Sequence, residues 1–179
     1  MRYQRCGELE DVADAGDEYN YSPPVHDERI TSAGARNVRV TRIQSGPVRA
    51  AFRISLNLRL PAALDRERSA RSEELVDNLV EIVVSLDADS RRVDWNVTVD
   101  NRSRDHRLRM LFPVGADAIT HVRAETAFGV VTRPARREAT GRARMEVPVS
   151  YGPTISFTET GNDSAGAVVF GEGLAEYEA

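Results

Sequence analysis

Alternation of apolar and polar residues with a period of two most restricts the fold of this chain. Between residues 48 and 60 every second position is apolar, at Phe52, Ile54, Leu56, Leu58 and Leu60. Residues 37–43 and 92–99 alternate in the same way, and 79–86 is more continuously apolar. Because successive side chains of a strand point to opposite faces, this pattern predicts antiparallel strands with one wet face.

Shorter apolar runs and turn signals fill the rest of the chain. Further strands are predicted at residues 108–112, 119–124, 128–132, 143–149, 154–158 and 167–170. Many short strands separated by turns are typical of a sandwich or barrel. The charged stretch 65–78 is predicted to be a loop rather than a short helix, because it separates two strand-like runs. The predicted fold class is therefore all-β, a large antiparallel sandwich.

The opening of the chain differs in kind from the remainder. Residues 8–27 hold seven acidic residues with few apolar ones and little alternation, so this stretch is predicted to be loop. We predict an acidic and aromatic opening segment over 1–35 that carries a site loop, followed by the antiparallel sandwich over 36–179, within a single domain. Loops presented by a rigid sheet are where binding residues concentrate.

Composition excludes several function classes. The net charge is −4 with both signs interspersed, which argues against a nucleic-acid or anionic-membrane surface. All 24 basic residues are arginine, a usage that suggests a GC-rich bacterial genome. Neither a signal peptide nor a membrane span is predicted, so a cytoplasmic location is expected. The single Cys6 rules out an internal disulfide.

The densest group of chemically active residues lies at positions 14–24, with Asp17, Tyr19 and Tyr21 as candidate ligands. Carboxylates accept hydrogen bonds from sugar hydroxyls, and aromatic rings lie against the C–H faces of sugars. Gly16 permits a tight turn before these residues. From the residues alone, a solvated turn remains the alternative interpretation.

A second polar group occupies residues 100–109. In a strand, Arg107 and Arg109 point the same way and would line a polar groove. The alternative is a hairpin turn at 101–104, with the arginines paired to carboxylates on neighbouring strands. The three histidines, His26, His106 and His121, lack the close spacing of a zinc motif, so no metal site is predicted in this chain.

Four segments resemble bacterial family 38 glycoside hydrolases, the α-mannosidases. Residues 16–24 (GDEYNYSPP) are similar to the family's GD-x-Y-x-Y-S-P segment, and 127–134 (AFGVVTRP) to its FGVV-x-RP piece. The same resemblance extends to residues 99–101, 105–109 and 111–113 (VDN, DHRLR, LFP) and to the GL-x-EY strand at 171–177 (GEGLAEY). The matches follow the family's order over nearly the whole chain.

The resemblance implies a place in a larger enzyme. It implies the C-terminal β-region, a sandwich of the galactose-mutarotase-like (supersandwich) type, incomplete if the chain stops short of the family's end. It also implies that zinc and the nucleophile belong to a catalytic α/β barrel absent from this chain, and that the isolated chain is inactive. Tyr19 best matches the family's pocket tyrosine, with Tyr21 and Asp17 next; no catalytic or metal-binding residue is carried over.

The resemblance also implies partners: a mannose-containing oligosaccharide or glycoside and the chain's own catalytic domain. No nucleic acid or membrane is expected as a partner, on the grounds of charge and composition given above. Homo-oligomerisation stays open. Two other functions remain alternatives. One is a non-catalytic carbohydrate-binding or interaction module. The other is a mutarotase-type aldose epimerase, which needs a histidine acid and a carboxylate base such as His106 or His121 with Glu125.

Overall fold

The computed structural model describes residues 4–17, 21–114, 119–135, 151–162 and 166–179. Two compact units divide the chain, one formed by Arg5–Phe112 and the other beginning at Pro113. The strands, in chain order, are β1 (Glu8–Ala13), β2 (Ile30–Thr31), β3 (Arg36–Ser45), β4 (Arg49–Pro61), β5 (Leu75–Asp87), β6 (Val93–Asp100), β7 (His106–Leu111), β8 (His121–Thr126), β9 (Gly129–Pro134), β10 (Tyr151–Pro153), β11 (Phe157–Gly161), β12 (Gly166–Phe170) and β13 (Glu176–Glu178).

A four-stranded antiparallel sheet in the order β3-β4-β5-β6 forms one layer of the first unit. Its central strands, β4 and β5, pair along their whole length, from Arg49 with Asp87 to Pro61 with Leu75. The alternation in the sequence places one apolar and one polar face on this sheet, as expected for strands with a side-chain period of two.

A smaller antiparallel sheet in the order β2-β1-β7 covers one end of that apolar face. β1 contributes Leu9 to a buried cluster with five residues of β4 and β5: Leu56, Leu58, Leu60, Val80 and Ile82. Burying each such side chain stabilises the fold by roughly 1.5–3 kcal/mol. The core of this unit therefore holds β1 and β7, the strands that carry the candidate site, against the larger sheet.

The opening segment is more regular than the sequence predicts. The prediction of loop over residues 8–27 is wrong for Glu8–Ala13, which forms β1 and pairs with β7 from Glu8–Leu111 to Ala13–His106. Strand formation is compatible with acidic residues here because arginines from distant parts of the chain pair with them, as Arg109 does with Glu10. Residues 65–74 form a loop as predicted, whereas 75–78 already belong to β5.

The second unit contains a four-stranded antiparallel sheet in the order β12-β11-β8-β9 and a two-stranded sheet formed by β10 and β13. Val122 and Ala124 on β8 are buried. The strand predicted at 154–158 lies slightly later, as β11, and the strand predicted at 143–149 falls outside the described residues.

The all-β prediction is confirmed. In the described ranges every strand pairing is antiparallel, and the helical structure there is one short 3-10 turn at Ser32–Gly34. The same ranges contain no helix that is long and apolar enough to cross a membrane.

Candidate functional site

Asp14 closes the base of residues 14–22, which we call the site loop. Its Oδ1 atom accepts hydrogen bonds from the backbone nitrogens of Gly16 at 2.9 Å and Ser22 at 3.0 Å. The backbone nitrogen of Ala15 donates to the Ser22 carbonyl at 2.7 Å. Because aspartate readily accepts a bond from the amide two residues ahead, the local sequence itself favours this closed loop.

The site loop starts where the β1–β7 ladder ends. The backbone nitrogen of Asp14 donates to the carbonyl of Asp105 at 2.9 Å, one step beyond the last ladder pair, Ala13 with His106. The beginning of the loop is thus fixed to the turn that leads into β7. A loop held in this way by a paired sheet can present its side chains in a defined direction.

Of the three predicted ligands, Tyr21 is the one whose surroundings are defined most fully. Its ring is half buried, and the guanidinium carbon of Arg107 lies 4.9 Å from the ring centroid, a cation–π contact. Burial raises the pKa of the Tyr21 hydroxyl, and the negative charge of Asp27 raises it further. The phenol is therefore held in its neutral form, which can both donate and accept a hydrogen bond.

The other two predicted ligands are less defined. Asp17 is exposed. Tyr19 lies outside the described residues, together with Glu18 and Asn20. The assignment of Tyr19 as a pocket residue therefore stays a prediction, although Asp14 fixes both ends of the loop that contains it.

A buried ionic network lies beside the site loop. The side chain of Asp11 on β1 is only 1% exposed; its two oxygens lie 2.6 Å from Arg71 Nη1 and 2.5 Å from His106 Nδ1. His106 Nε2 lies 3.1 Å from Asn101 Oδ1. Arg71 Nε donates to Asp27 Oδ1 at 2.7 Å. Removing one partner from a buried ion pair leaves an uncompensated charge, so these groups act as a unit.

The face of β1 opposite Leu9 and Asp11 carries a second pair of contacts. Glu10 is buried, and its carboxylate accepts from Arg109 Nη2 at 2.6 Å and lies 3.0 Å from Arg29 Nη1. Arg107 and Arg109 are alternate residues of β7, as predicted. Arg109 pairs with a carboxylate on the neighbouring strand, as the alternative interpretation predicts. Arg107 instead lies over the ring of Tyr21 and belongs to the candidate site.

Three residues beside the site loop escaped sequence reasoning: Asp11, Asp27 and Arg71. Arg71 comes from the loop between β4 and β5, 60 residues from Asp11 and 44 from Asp27. No local pattern links residues at such separations. The one signal is a spacing: Leu9 and Asp11 lie two positions apart, so in a strand they share a face.

The histidine and glutamate groups considered for an epimerase are engaged elsewhere. His106 contacts Asp11 and Asn101 in the first unit. His121 Nδ1 lies 3.1 Å from Thr120 Oγ1, and the Glu125 carboxylate accepts a hydrogen bond from Ser156. Among the residues that the structure describes, no three or more His, Cys, Asp or Glu side chains are grouped to hold a metal ion.

Comparison with known proteins agrees with this architecture. The family model described as "Glycosyl hydrolases family 38 C-terminal domain" matches residues 2–174. The chain belongs to this family. A Halalkalibacterium halodurans protein named "Putative mannosylglycerate hydrolase" is 27% identical over 193 residues, which covers 99% of this chain and 21% of that protein.

Two solved structures from Enterococcus faecalis resemble this family 38 C-terminal domain over 98% of its length. One is an α-mannosidase, with a TM-score of 0.87 and 28% identity; the other is a protein of glycosyl hydrolase family 38, with a TM-score of 0.84 and 27% identity. The chain spans about a fifth of the relatives it matches, 21% of each.

Proposed function

We propose that this family 38 domain is the C-terminal β-part of a retaining α-mannosidase-type hydrolase and that its site loop forms one wall of the sugar pocket. The observation that carries the proposal is the closed base of the loop, where Asp14 binds the amides of Gly16 and Ser22. A pocket wall must be held in place before substrate arrives, because ordering it on binding would cost affinity.

The loop residues have complementary chemistry for a sugar. The Tyr19 hydroxyl would exchange hydrogen bonds with a sugar hydroxyl, and Asp17 would accept one. Tyr21 is held under Arg107 at the edge of the loop, and its neutral phenol offers a further donor. These residues bind and orient the sugar; none of them attacks the glycosidic bond.

The attacking carboxylate and a zinc ion would come from a catalytic α/β barrel outside this chain. Zinc would hold sugar hydroxyls there, and the described residues of this domain contain no cluster suited to it. The substrate would be a mannose-containing oligosaccharide or glycoside. The relative named for mannosylglycerate hydrolysis favours a small mannoside with an acidic aglycone as one member of this class.

An exposed apolar surface supports a domain partner. The end of the four-stranded sheet that β1 and β7 leave uncovered carries Phe52, Leu86, Val93 and Val97 on one face, each 39–46% exposed. Contiguous apolar patches of this kind mark interaction surfaces. We assign this surface to packing against another part of the longer enzyme. Such a part is available in the relatives, because this chain covers 21% of each of them.

The test uses the isolated chain with an aryl α-mannoside and added zinc. No turnover is expected, because the chain supplies binding groups and neither nucleophile nor metal site. Zinc-dependent hydrolysis by the chain alone would refute this division of roles. Aldose mutarotation is measured in parallel by polarimetry, and catalysis of it would favour the epimerase instead. Tight sugar binding by the isolated chain would favour a binding module.

A further inference from the structure

One guanidinium connects the two backbone segments on either side of the site loop. Arg71 Nη1 donates to Asp11 Oδ1 at 2.6 Å, on the strand that enters the loop. Arg71 Nε donates to Asp27 Oδ1 at 2.7 Å, on the segment that leaves it. The Arg71 side chain is 10% exposed and Asp11 is 1% exposed, so water screens these contacts poorly.

The segment that leaves the loop is also fixed to β1 directly. Asp27 Oδ2 accepts a hydrogen bond from the backbone nitrogen of Ala13 at 3.0 Å. The carboxylate of Asp27 therefore bridges Arg71 and the end of β1. Next to it, the backbone nitrogen of His26 donates to the Ser69 carbonyl at 3.0 Å. The two flanks of the site loop thus meet at a junction formed by Arg71, Asp27 and Ala13.

Arg71 reaches this junction from a loop that is itself well ordered. Asp65 accepts hydrogen bonds from the backbone nitrogen of Ser69 at 2.7 Å and from its hydroxyl at 3.0 Å. Leu64 and Arg71 form an isolated antiparallel bridge. Arg68 lies 3.2 Å from Asp105, the residue before β7. The β4–β5 loop therefore presents Arg71 in a fixed position and is tied to the start of β7 as well.

We propose that Arg71 is a positioning residue that holds the two ends of the site loop together by binding Asp11 and Asp27 at once. The two carboxylates are bound through different nitrogens of one rigid fork, which the single ammonium of a lysine cannot reproduce. Without the guanidinium, two carboxylates would face the same buried space and repel each other. The consequence for catalysis rests on the function proposed above, whereas the effect on the loop does not.

Amide hydrogen exchange of the 179-residue chain, read residue by residue by NMR, tests this directly. In Arg71→Lys and in Asp27→Asn, the amides of Gly16 and Ser22 are expected to exchange at least about tenfold faster, the change that loss of a hydrogen bond to a charged group produces. Amides of core strand β5, such as Val80, should change less than about threefold.

Arg53→Lys is the matched control. Arg53 pairs with Glu81 across β4 and β5 at 3.2 Å, and both side chains are 47% exposed, so this pair contributes little. The Arg53→Lys variant should leave the Gly16 and Ser22 amides unchanged. Equal acceleration of loop and core amides in Arg71→Lys, or unchanged loop amides, would overturn the positioning role.

Chemical rescue separates positioning from general support of the fold. In Arg71→Ala, added ethylguanidinium should restore protection of the Ser22 amide, whereas ethylammonium at the same concentration should not, because it lacks the planar fork. Equal rescue by both ions, or by neither, would contradict the role assigned to the guanidinium. Unchanged mannoside hydrolysis by a longer enzyme carrying Arg71→Lys, with the loop amides accelerated, would refute the proposed function and not this inference.

Discussion

Replacing Asn78 with leucine removes a buried amide that holds the turn before β7. Asn78 is 1% exposed. Its Oδ1 accepts from the backbone nitrogens of Arg102 at 2.7 Å and Ser103 at 3.3 Å, and its Nδ2 donates to Ser103 Oγ at 3.0 Å. The Asn78 side chain thus ties the turn at 101–105 to β5. Because that turn is bonded to the start of the site loop, Asn78 also supports the site.

The expected cost follows from the groups left without a partner. In Asn78→Leu the amide of Arg102 loses its acceptor, at about 1–3 kcal/mol, and the Ser103 hydroxyl loses a donor, at about 1 kcal/mol. The amide of Ser103 keeps a second acceptor, Asn101 Oδ1 at 3.0 Å. Apolar burial of the leucine returns about 1 kcal/mol. We therefore expect a net destabilisation of about 1–3 kcal/mol.

Urea unfolding followed by fluorescence of the single tryptophan measures this cost. Trp95 packs partly buried against the core of the same unit, so its emission reports on that unit. Asn57→Leu is the matched control, because Asn57 is 9% exposed and its buried Oδ1 has no hydrogen-bond partner among the described residues. The control should change the unfolding free energy by less than about 1 kcal/mol. Equal effects of the two substitutions would refute the reasoning.

Two further predictions concern the packing and ionisation of the same unit. Gly7 has φ +80°, and a Cβ there would lie 2.5 Å from the Trp95 ring, so Gly7→Ala should destabilise the fold by about 2–5 kcal/mol. Gly34→Ala is the control, because the space around Gly34 is open, and it should change stability by less than about 0.5 kcal/mol. Equal losses of stability in urea unfolding would contradict this prediction. Burial, then the Asp27 charge, raise the pKa of Tyr21 above its ordinary 10.0, so the neutral phenol stabilises the fold below that pH and the contribution is lost as pH rises through the raised value. In an ultraviolet titration, Tyr21→Phe should remove absorbance that develops above the ordinary pKa range of tyrosine. Loss of absorbance within the ordinary range instead would show that the pKa of Tyr21 is not raised.

Strand periodicity predicted much of the larger sheet. β3, β4 and β6 lie within one or two residues of the alternating runs, because successive side chains of a strand point to opposite faces of the sheet. β5 begins four residues earlier than its apolar run, since Leu75 pairs with Pro61 at the end of the β4–β5 ladder. A strand end that is set by its pairing partner leaves little trace in its own sequence.

The candidate site was predicted only in part. The site loop stood out because aspartate, glycine and tyrosine lie together over residues 14–22. β1 did not stand out, because its acidic residues are typical of a loop and the sequence does not show that Arg71 and Arg109 pair with them. Both arginines are at least 60 residues away, and contacts over such separations follow from the tertiary fold alone.

The central claim is that the site loop of this domain binds the sugar that a separate catalytic part cleaves. Tyr19→Phe, introduced into a longer family 38 enzyme that carries this chain, tests it most directly through the steady-state kinetics of α-mannoside hydrolysis. The account predicts that kcat/KM falls by about tenfold, the effect of one lost substrate hydrogen bond, with an unchanged unfolding temperature. An unchanged kcat/KM would remove Tyr19 from the pocket and contradict the account.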